Sequence, residues 1–404
     1  MTRALRRLCT NLLACAGILY SGAAQSGTAT ILYCFGGYDD GTTPYAGMTS
    51  LDHILYGTTY YGGTGKCSSE FGNACGIVFS FDPATKTEKV VYSFQGGNDG
   101  ELPASRLTYL NGLFYGTTAQ GGAGSCYTSF GSGCGTVFSL NPSTGAEAVL
   151  YSFKENGSDG VYPYSAVVAP ASDSTDLYGT TAQGGTGSCE EGCGVVFKVS
   201  LSTGAETIVH SFQNDGSDGT YPGEDDWARY GGKLYGTTSE GGAYGDGTIY
   251  SIDPTTGAES VIHAFGNGGD GSEPNAGMTE FGNMLYGTTT LGGSNDDGTV
   301  FSFDPATGAE KVLYSFNGTD GGFPVTDLIH GKTLLYGTTV DPDEDGTIFS
   351  VNPETGAEKV YGNIGDSNDP YENTRLTKGD RTLYGVATQS ESCYFSGAIY
   401  SIAR

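Results

Sequence analysis

A five-residue string, Leu-Tyr-Gly-Thr-Thr, recurs along the chain in close variants and constrains its fold more than any other feature. Successive copies lie 48 to 63 residues apart. A period of this length is typical of stacked supersecondary units, because each unit buries its hydrophobic face against the next. The tyrosines of the seven copies, the last in the degraded form Tyr-Gly-Val-Ala, are Tyr56, Tyr115, Tyr178, Tyr235, Tyr286, Tyr336 and Tyr384.

Each repeat contains four strand-like segments, here named strands A to D. Strand A follows an Asp-Gly-x-x-Pro turn such as 99–103, and a proline at a strand start loses no ladder hydrogen bond. Strand B is the recurring string, and its interior glycine predicts a bulge or a close backbone approach. Strand C begins with glycine, as at Gly135, and a turn with Asp or Asn, Pro and Gly leads to strand D, as at 147–153.

Four short antiparallel strands per repeat predict an all-β, seven-bladed β-propeller of four-stranded antiparallel blades, a single domain over residues 25–404. An open β-solenoid is the alternative. Strand C of the last repeat begins at Gly397, which leaves too few residues before Arg404 for a strand D, whereas residues 29–35 match strand D position by position. We therefore expect this N-terminal strand to complete blade 7, which removes the exposed sheet edges of an open array.

Eight cysteines remain after the first 24 residues, an even number that favours disulfides in an exported chain. Cys34 lies one residue before the end of the N-terminal strand, and Cys393 lies four residues before Gly397, where strand C of blade 7 begins. An antiparallel pairing would place them together, so we predict a disulfide that locks the ring, with two free thiols as the alternative. The other cysteines predict three local disulfides rather than zinc sites, because Cys-x-x-Cys spacing and accompanying histidines are missing. These pairs are Cys67–Cys75, Cys126–Cys134 and Cys189–Cys193.

Residues 1–24 have the pattern of a secretory signal peptide, with a basic start, an apolar run over 8–20 and small residues at 22–24. A lipoprotein signal around Cys15 is the alternative. The remaining chain has 15 basic and 45 acidic side chains, a formal charge of −30. This charge disfavours nucleic acids and anionic membranes as partners, and no later apolar segment is long enough to cross a membrane. We expect a secreted or periplasmic monomer.

The B–C and D–A loops of such a ring emerge on the same face, where function concentrates. The B–C loops of blades 1 and 2 hold 16 residues each and that of blade 3 holds 12, whereas those of blades 4 to 7 hold 6 to 9. The long loops carry aromatic residues that would suit sugar or peptide binding. Loops that the disulfides merely stiffen are the alternative. The aromatic candidates are Tyr60, Tyr61, Phe71, Tyr127 and Phe130.

A second group of candidates consists of charged residues near strand A that do not recur between repeats and could line the channel. They are Arg106, Asp225, Asp226, Asp327 and Arg375. The aspartates of the Asp-Gly turns recur once per blade, which predicts a turn role rather than calcium binding or catalysis. His210 and His263 replace a strand-D tyrosine and are expected to be structural. The sequence predicts no catalytic residue, metal site or cofactor.

The repeat, with its Gly-Gly loop, Gly-Thr-Val-Phe-Ser, Asp-Pro-x-Thr-Gly-Ala-Glu and Tyr-Ser-Phe segments, resembles the tandem repeat of bacterial exported GloVer (Gloeo/Verruco) proteins over 28–404. The resemblance implies an extracellular or surface-associated protein without an established reaction. Family members often carry a C-terminal sorting anchor, which we do not expect in a sequence that stops at Arg404. We therefore hypothesise a scaffold that binds a glycan or protein through the loops of blades 1–3. A polysaccharide-active hydrolase or lyase with channel carboxylates, and a purely structural envelope protein, are the alternatives.

Overall fold

The computed structural model describes residues 29–404 except 37–38, 68–74, 129–130, 173, 224–225, 268, 341–345, 364–374, 389 and 394–395. The predicted signal peptide lies outside the described residues. The rest of the chain forms seven antiparallel blades around a channel, which confirms the propeller predicted from the sequence. Among the described residues, no helix has the length and apolar character that a membrane span requires.

The strands of blades 1 to 3 follow the predicted order A to D. In blade 1 they are Thr49–Leu51, Ile54–Thr59, Ile77–Asp82 and Thr87–Ser93. In blade 2 they are Thr108–Leu110, Leu113–Gln120, Thr136–Leu140 and Glu147–Ser152. In blade 3 a single bridge between Val168 and Tyr178 stands in for strand A. Strands B to D of that blade are Asp176–Thr181, Val195–Ser200 and Glu206–Ser211.

Blades 4 to 7 repeat this order. In blade 4 the strands are Ala228–Tyr230, Lys233–Gly241, Thr248–Ile252 and Glu259–Ala264. In blade 5 they are Thr279–Phe281, Met284–Thr289, Thr299–Asp304 and Ala309–Ser315. In blade 6 they are Ile329–His330, Leu335–Thr338, Thr347–Val351 and Glu358–Asn363. In blade 7 strands A to C are Thr377–Lys378, Thr382–Ala387 and Ala398–Ala403.

Strand D of blade 7 comes from the N-terminus, as predicted, because Thr30–Cys34 pairs antiparallel with Ala398–Ala403. The register places Cys34 opposite Ala398. The Cys34–Cys393 disulfide then joins residues 359 positions apart, with 5.3 Å between their Cα atoms. The ring is therefore closed by both main-chain hydrogen bonds and a covalent bond. The three predicted loop disulfides, Cys67–Cys75, Cys126–Cys134 and Cys189–Cys193, also form.

The strand-B glycine recurs because strand C lies directly against it. A Cβ atom on Gly116 would lie 2.7 Å from Cζ of Phe138, which is closer than real Cβ contacts come. The register between strands B and C is uninterrupted here, and the irregularity lies instead between strands C and D, at Val137 and Phe138. The glycine therefore allows a close approach between strands B and C. The bulge that was the alternative expectation lies between strands C and D instead.

The two threonines of the string have different structural roles. Thr117 donates a hydrogen bond to the carbonyl of Ser165 in the next blade, at 3.0 Å. Thr118 donates to the carbonyl of Gln120 at 2.8 Å and so shapes the start of the B–C loop. The string thus holds one blade to the next and orients the loops that follow strand B.

Neighbouring blades pack through aromatic side chains. The last phenylalanine of strand D meets the strand-C aromatic residue of the next blade, as in Phe94–Phe138 and Phe153–Phe197, with ring centroids 5.1 and 5.0 Å apart. Trp227, the only tryptophan in the sequence, is buried against Tyr250 at 5.6 Å, in agreement with a core role. Edge-to-face contacts of this kind add to the stabilisation from burial.

Candidate functional site

The D–A and B–C loops lie on one face of the ring, here named the loop face. Main-chain pairing shows this directly, since the segment after strand D pairs with the residues after strand B in blades 1 to 5. The pairs are Thr42–Tyr61, Glu101–Gln120, Gly160–Gly184, Gly219–Gly241 and Ser272–Leu291. The loop face predicted from strand order is therefore present.

A ring of seven equivalent positions lies two residues before the first residue of strand A in each blade. Three of these positions hold small residues and four hold charged residues. In blade order they are Gly47, Arg106, Ala166, Asp226, Gly277, Asp327 and Arg375. We name this set the charged ring. Its two basic and two acidic members balance in charge.

The four charged members meet across the channel. Arg106 Nε donates to Asp226 Oδ1 at 3.3 Å, and its Nη2 forms an ion pair with Asp226 Oδ2. Arg375 Nη1 pairs with the same Asp226 oxygen and lies 3.5 Å from Asp327 Oδ2. The Asp226 amide also donates to Asp327 Oδ2 at 3.0 Å. Blades 2, 4, 6 and 7 are thus joined by one ionic network.

The small members of the charged ring make room for this network. A Cβ atom on Gly277 would overlap the carbonyl oxygen of Asp226, and one on Gly47 would lie 2.8 Å from Cβ of Arg375. The network is also largely removed from water: the side chain of Asp327 is 0 % exposed and that of Asp226 is 12 % exposed. The Arg106 side chain is the most accessible member, at 29 %.

Four tyrosines of blades 1 and 3 and of the loops beside them form an aromatic cluster. They are Tyr45, Tyr60, Tyr61 and Tyr164, and we name them the aromatic cluster. The ring centroids of Tyr45 and Tyr60 lie 4.8 Å apart, and those of Tyr60 and Tyr61 lie 5.8 Å apart. The Tyr60, Tyr61 and Tyr164 side chains pack on a small apolar patch, made of Leu102, Ala104 and Ala119.

The position of the aromatic cluster follows from the sequence register. Tyr45 and Tyr164 each precede a charged-ring position by two residues, and Ala104 precedes Arg106 by two. Tyr45 is 37 % exposed, whereas burial of Tyr61 raises the pKa of its phenol. The cluster therefore offers both exposed ring surface and hydroxyl groups next to the exposed edge of the charged ring.

The predicted site residues form two separate groups of contacts. Tyr60 contacts Tyr61, and the ionic network contains Arg106, Asp226, Asp327 and Arg375. Phe71, Phe130 and Asp225 lie outside the described residues. For Tyr127 the structure gives a main-chain position, in the two-residue strand Tyr127–Thr128 paired with Gly131–Ser132.

Sequence reasoning missed Tyr45 and Tyr164. Each follows the proline of an Asp-Gly-x-x-Pro turn, where blade 2 has Ala104 and blade 4 has Gly223. A tyrosine at a repeat position that holds a small residue in blades 2 and 4 was the sequence feature that could have identified both residues.

The turn aspartates cap the loops between blades, as predicted, and also take part in contacts between blades. Asp40 Oδ2 accepts the amide of Gly36 at 2.8 Å and the hydroxyl of Tyr33, a strand-D residue, at 2.6 Å. The Asp40 carboxylate also faces Glu88, which begins the strand-D region of the next blade. Six blade interfaces contain such a set, here named an interface triad. The triads are Tyr33–Asp40–Glu88, Tyr92–Asp99–Glu147, Tyr151–Asp159–Glu206, His210–Asp218–Glu259, His263–Asp270–Glu310 and Tyr314–Asp320–Glu358.

The triad glutamates are difficult to ionise in the folded protein. Burial, and then the charge of Asp40, raises the pKa of Glu88 to about 7. Burial with the neighbouring aspartate likewise raises the pKa values of Glu206 and Glu358 to about 7. One carboxylate oxygen of each of these three glutamates is buried without a hydrogen-bond partner among the described residues. A protonated glutamate is therefore favoured at these interfaces near neutral pH.

We expect the stability of the ring to fall as pH rises from about 5 to about 8. In this window the unfolded glutamates lose protons while the folded ones retain them, so the unfolded state binds fewer protons and the free energy of unfolding decreases with pH. Glu88→Gln, which mimics the protonated acid, should therefore be more stable relative to wild type at pH 8 than at pH 5, in thermal unfolding at both pH values. Partial solvent exposure reduces the effect to about 1 kcal/mol. Glu280→Gln, at an exposed site, is the control, and an equal pH response of the two variants would contradict the prediction.

Comparison with known proteins supports the fold. Residues 223–404 match the family described as Gloeobacter/Verrucomicrobia repeat. An oligogalacturonate lyase in complex with manganese superposes with a TM-score of 0.54 at 14 % identity, covering 93 % of this chain and 90 % of that chain. An oligogalacturonate lyase from Vibrio parahaemolyticus gives a TM-score of 0.54 at 12 % identity, covering 93 % of each chain. No curated protein matches the chain.

At such low identity the two lyases share the fold alone with this chain. The family match is more specific, because it covers blades 4 to 7 and follows the repeat. Blades 1 to 3 carry the same strand-B string, the same turns and the same pairing of strands. The chain is therefore a seven-bladed propeller whose residues 223–404 match the Gloeobacter/Verrucomicrobia repeat.

Proposed function

We propose that this protein binds a carbohydrate at the loop-face mouth of its channel. The aromatic cluster supplies the stacking surface, and the exposed edge of the charged ring supplies hydrogen bonds to hydroxyl groups. The observation that carries the proposal is the continuous contact from Tyr45 through Tyr60 to Tyr61 on the loop face. Aromatic rings combined with a few oriented polar groups are typical of small-molecule sites.

The site is rigid before any ligand arrives. Tyr60 and Tyr61 are held by main-chain hydrogen bonds to Thr43 and Thr42, at 2.9 and 3.2 Å. The B–C loop that begins with these tyrosines is cross-linked by the Cys67–Cys75 disulfide. Rigid loops lose little conformational freedom on binding, which favours affinity. The disulfides also support the proposal of a secreted or periplasmic location, since they persist in oxidising compartments.

The charge of the protein favours a neutral carbohydrate. The formal charge of the chain is −27, so a polyanionic sugar would approach against long-range repulsion. Within the charged ring both arginines already pair with aspartates, which leaves a balanced polar surface rather than an anion site. Hydroxyl groups can both donate to such carboxylates and accept from such guanidinium groups.

We expect Tyr60→Ala to weaken carbohydrate binding by about 30-fold, the loss typical of a central aromatic contact. A glycan array with the purified protein would supply the ligand, and isothermal titration would measure the affinity of wild type and variant. Tyr244→Ala is the matched control, because Tyr244 is 54 % exposed and lies in the B–C loop of blade 4, away from the cluster. Equal losses in both variants, or none in Tyr60→Ala, would contradict the site.

A protein ligand is the alternative to a carbohydrate. In that case no glycan on the array would bind, and Tyr60→Ala would weaken binding of the protein partner whereas Tyr244→Ala would not. A purely structural envelope role gains support if neither kind of ligand is found.

A polysaccharide-active hydrolase or lyase is the second candidate, because two carboxylates and two guanidinium groups converge in the channel. Two of the similar solved structures are oligogalacturonate lyases, so pectic oligosaccharides belong in the substrate panel. Asp226 would be the residue to test, since it contacts both Arg106 and Arg375. Product analysis by chromatography should then show turnover by wild type and none by Asp226→Asn. Binding without turnover in the same samples would exclude this candidate.

A further inference from the structure

Two of the six interface triads differ from the rest by having histidine in place of tyrosine. The strand-D tyrosine is replaced by His210 at the interface of blades 3 and 4 and by His263 at the interface of blades 4 and 5. A tyrosine can donate one hydrogen bond to the turn aspartate, as Tyr151 does to Asp159 at 2.7 Å. A neutral imidazole protonated at Nε2 can do the same, whereas the tautomer protonated at Nδ1 leaves the Nε2 lone pair free to bind a metal, and histidine is the commonest protein metal ligand.

The geometry of both histidine triads suits a metal ion. His210 Nε2 lies 2.9 Å from Asp218 Oδ2, and His263 Nε2 lies 3.2 Å from Asp270 Oδ2. The third ligand, Glu259 or Glu310, places an oxygen so that all three ligand atoms of a triad lie within 4.8 Å of one another. Ligand atoms bound to one zinc ion at about 2.0–2.2 Å are separated by roughly 3–3.5 Å, so only small side-chain adjustments are needed.

The glutamates leave an oxygen open for coordination, as they do in the tyrosine triads, so the histidine is what distinguishes these two sites. One oxygen of Glu259 and one of Glu310 are buried, and neither has a hydrogen-bond partner among the described residues. Each triad also holds two carboxylates close together, which a divalent cation would neutralise. The sites are not sealed, since the side chains of His210 and His263 are 22 % and 19 % exposed. An ion can therefore enter, and water can complete its coordination.

We propose that each histidine triad binds one divalent transition-metal ion of the zinc class. An imidazole with two carboxylates suits zinc better than calcium or magnesium, which prefer oxygen ligands alone. Each ion would join strand D of one blade, the D–A loop that follows it and strand D of the next blade. Each loop disulfide cross-links one B–C loop within blades 1 to 3, whereas the two metal sites would cross-link neighbouring blades from 3 to 5.

Titration of chelator-treated protein with zinc tests the proposal. Wild type is expected to bind two ions per chain, His210→Tyr and His263→Tyr one each, and the double variant none. Tyrosine occupies this position in four other triads, so these variants retain a residue that the fold accepts. Zinc should also raise the thermal midpoint of wild type and leave that of the double variant unchanged.

A gain-of-site variant makes the test stricter. Tyr151→His converts the triad with Asp159 and Glu206 into the proposed ligand set, and it should bind a third ion. Unchanged zinc stoichiometry in the double variant would show adsorption to the acidic surface and overturn the proposal. Failure of wild type to bind zinc would also overturn it. Neither result bears on carbohydrate binding, because the triads share no residue with the aromatic cluster or the charged ring.

Discussion

Loss of the Cys34–Cys393 disulfide is expected to destabilise the protein more than loss of any loop disulfide. The double variant Cys34→Ser, Cys393→Ser should lose about 5 kcal/mol of stability, because this bond closes a span of 359 residues and the chain-entropy cost of closure grows with loop length. It also holds the only strand of blade 7 that comes from the N-terminus. Without it, hydrogen bonds from Thr30–Cys34 to Ala398–Ala403 must keep the ring closed.

The control for this prediction is the double variant Cys189→Ser, Cys193→Ser, whose bond joins residues four positions apart. The same entropy relation gives about 2 kcal/mol for so short a loop. Thermal midpoints of the two variants under non-reducing conditions, measured beside wild type, would rank the two bonds. Equal falls in both midpoints, or no fall for the longer bond, would contradict a closing role.

Removal of the Asp226 carboxylate is expected to have the second largest effect. Asp226→Asn removes the carboxylate that pairs with both Arg106 and Arg375, in a network whose acidic members are largely buried. Removing one partner of a buried ion pair lowers the free energy of unfolding by about 3–5 kcal/mol. Since the Arg106 side chain is 29 % exposed, water can solvate part of the unpaired charge, and we expect about 2–3 kcal/mol.

A double-mutant cycle would separate the ionic interaction from a general loss of packing. Arg106→Gln combined with Asp226→Asn removes both partners, so the pair should cost less than the sum of the two single changes. Ala166 provides the control position, because it is a small residue of the same ring without charge. Ala166→Gly combined with Asp226→Asn should be additive. Additivity of the Arg106 and Asp226 changes would argue against a shared network.

The scaffold was predictable from the sequence because each blade repeats the same local packing of strands B and C. Every strand-B glycine meets a strand-C ring, as Gly116 meets Phe138, so the repeat has a local physical cause that appears in every copy. The closing strand and the four disulfides followed from counting strands and from the register of Cys34.

The candidate site was predictable only in part. The pairing of Arg106 with Asp226 joins blades 2 and 4 across the channel, and repeat spacing carries no information on which side chains reach across. The interface triads were missed for a related reason: Glu88 looks like the exposed start of a strand, and its partner Asp40 belongs to the preceding loop. Features that break the repeat, such as Tyr45 and His263, were visible but were not enough to identify their neighbours.

The most direct test of the proposed site is hydrogen–deuterium exchange with and without the carbohydrate selected on the glycan array. The site predicts slower exchange on binding in residues 42–49, 60–65, 102–106 and 164–166, which carry the aromatic cluster and the nearby charged ring. The A–B and C–D turns on the opposite face should not change. Protection confined to those turns, or to blades 4 to 6, would contradict the proposal that the ligand binds at the loop-face mouth of the channel.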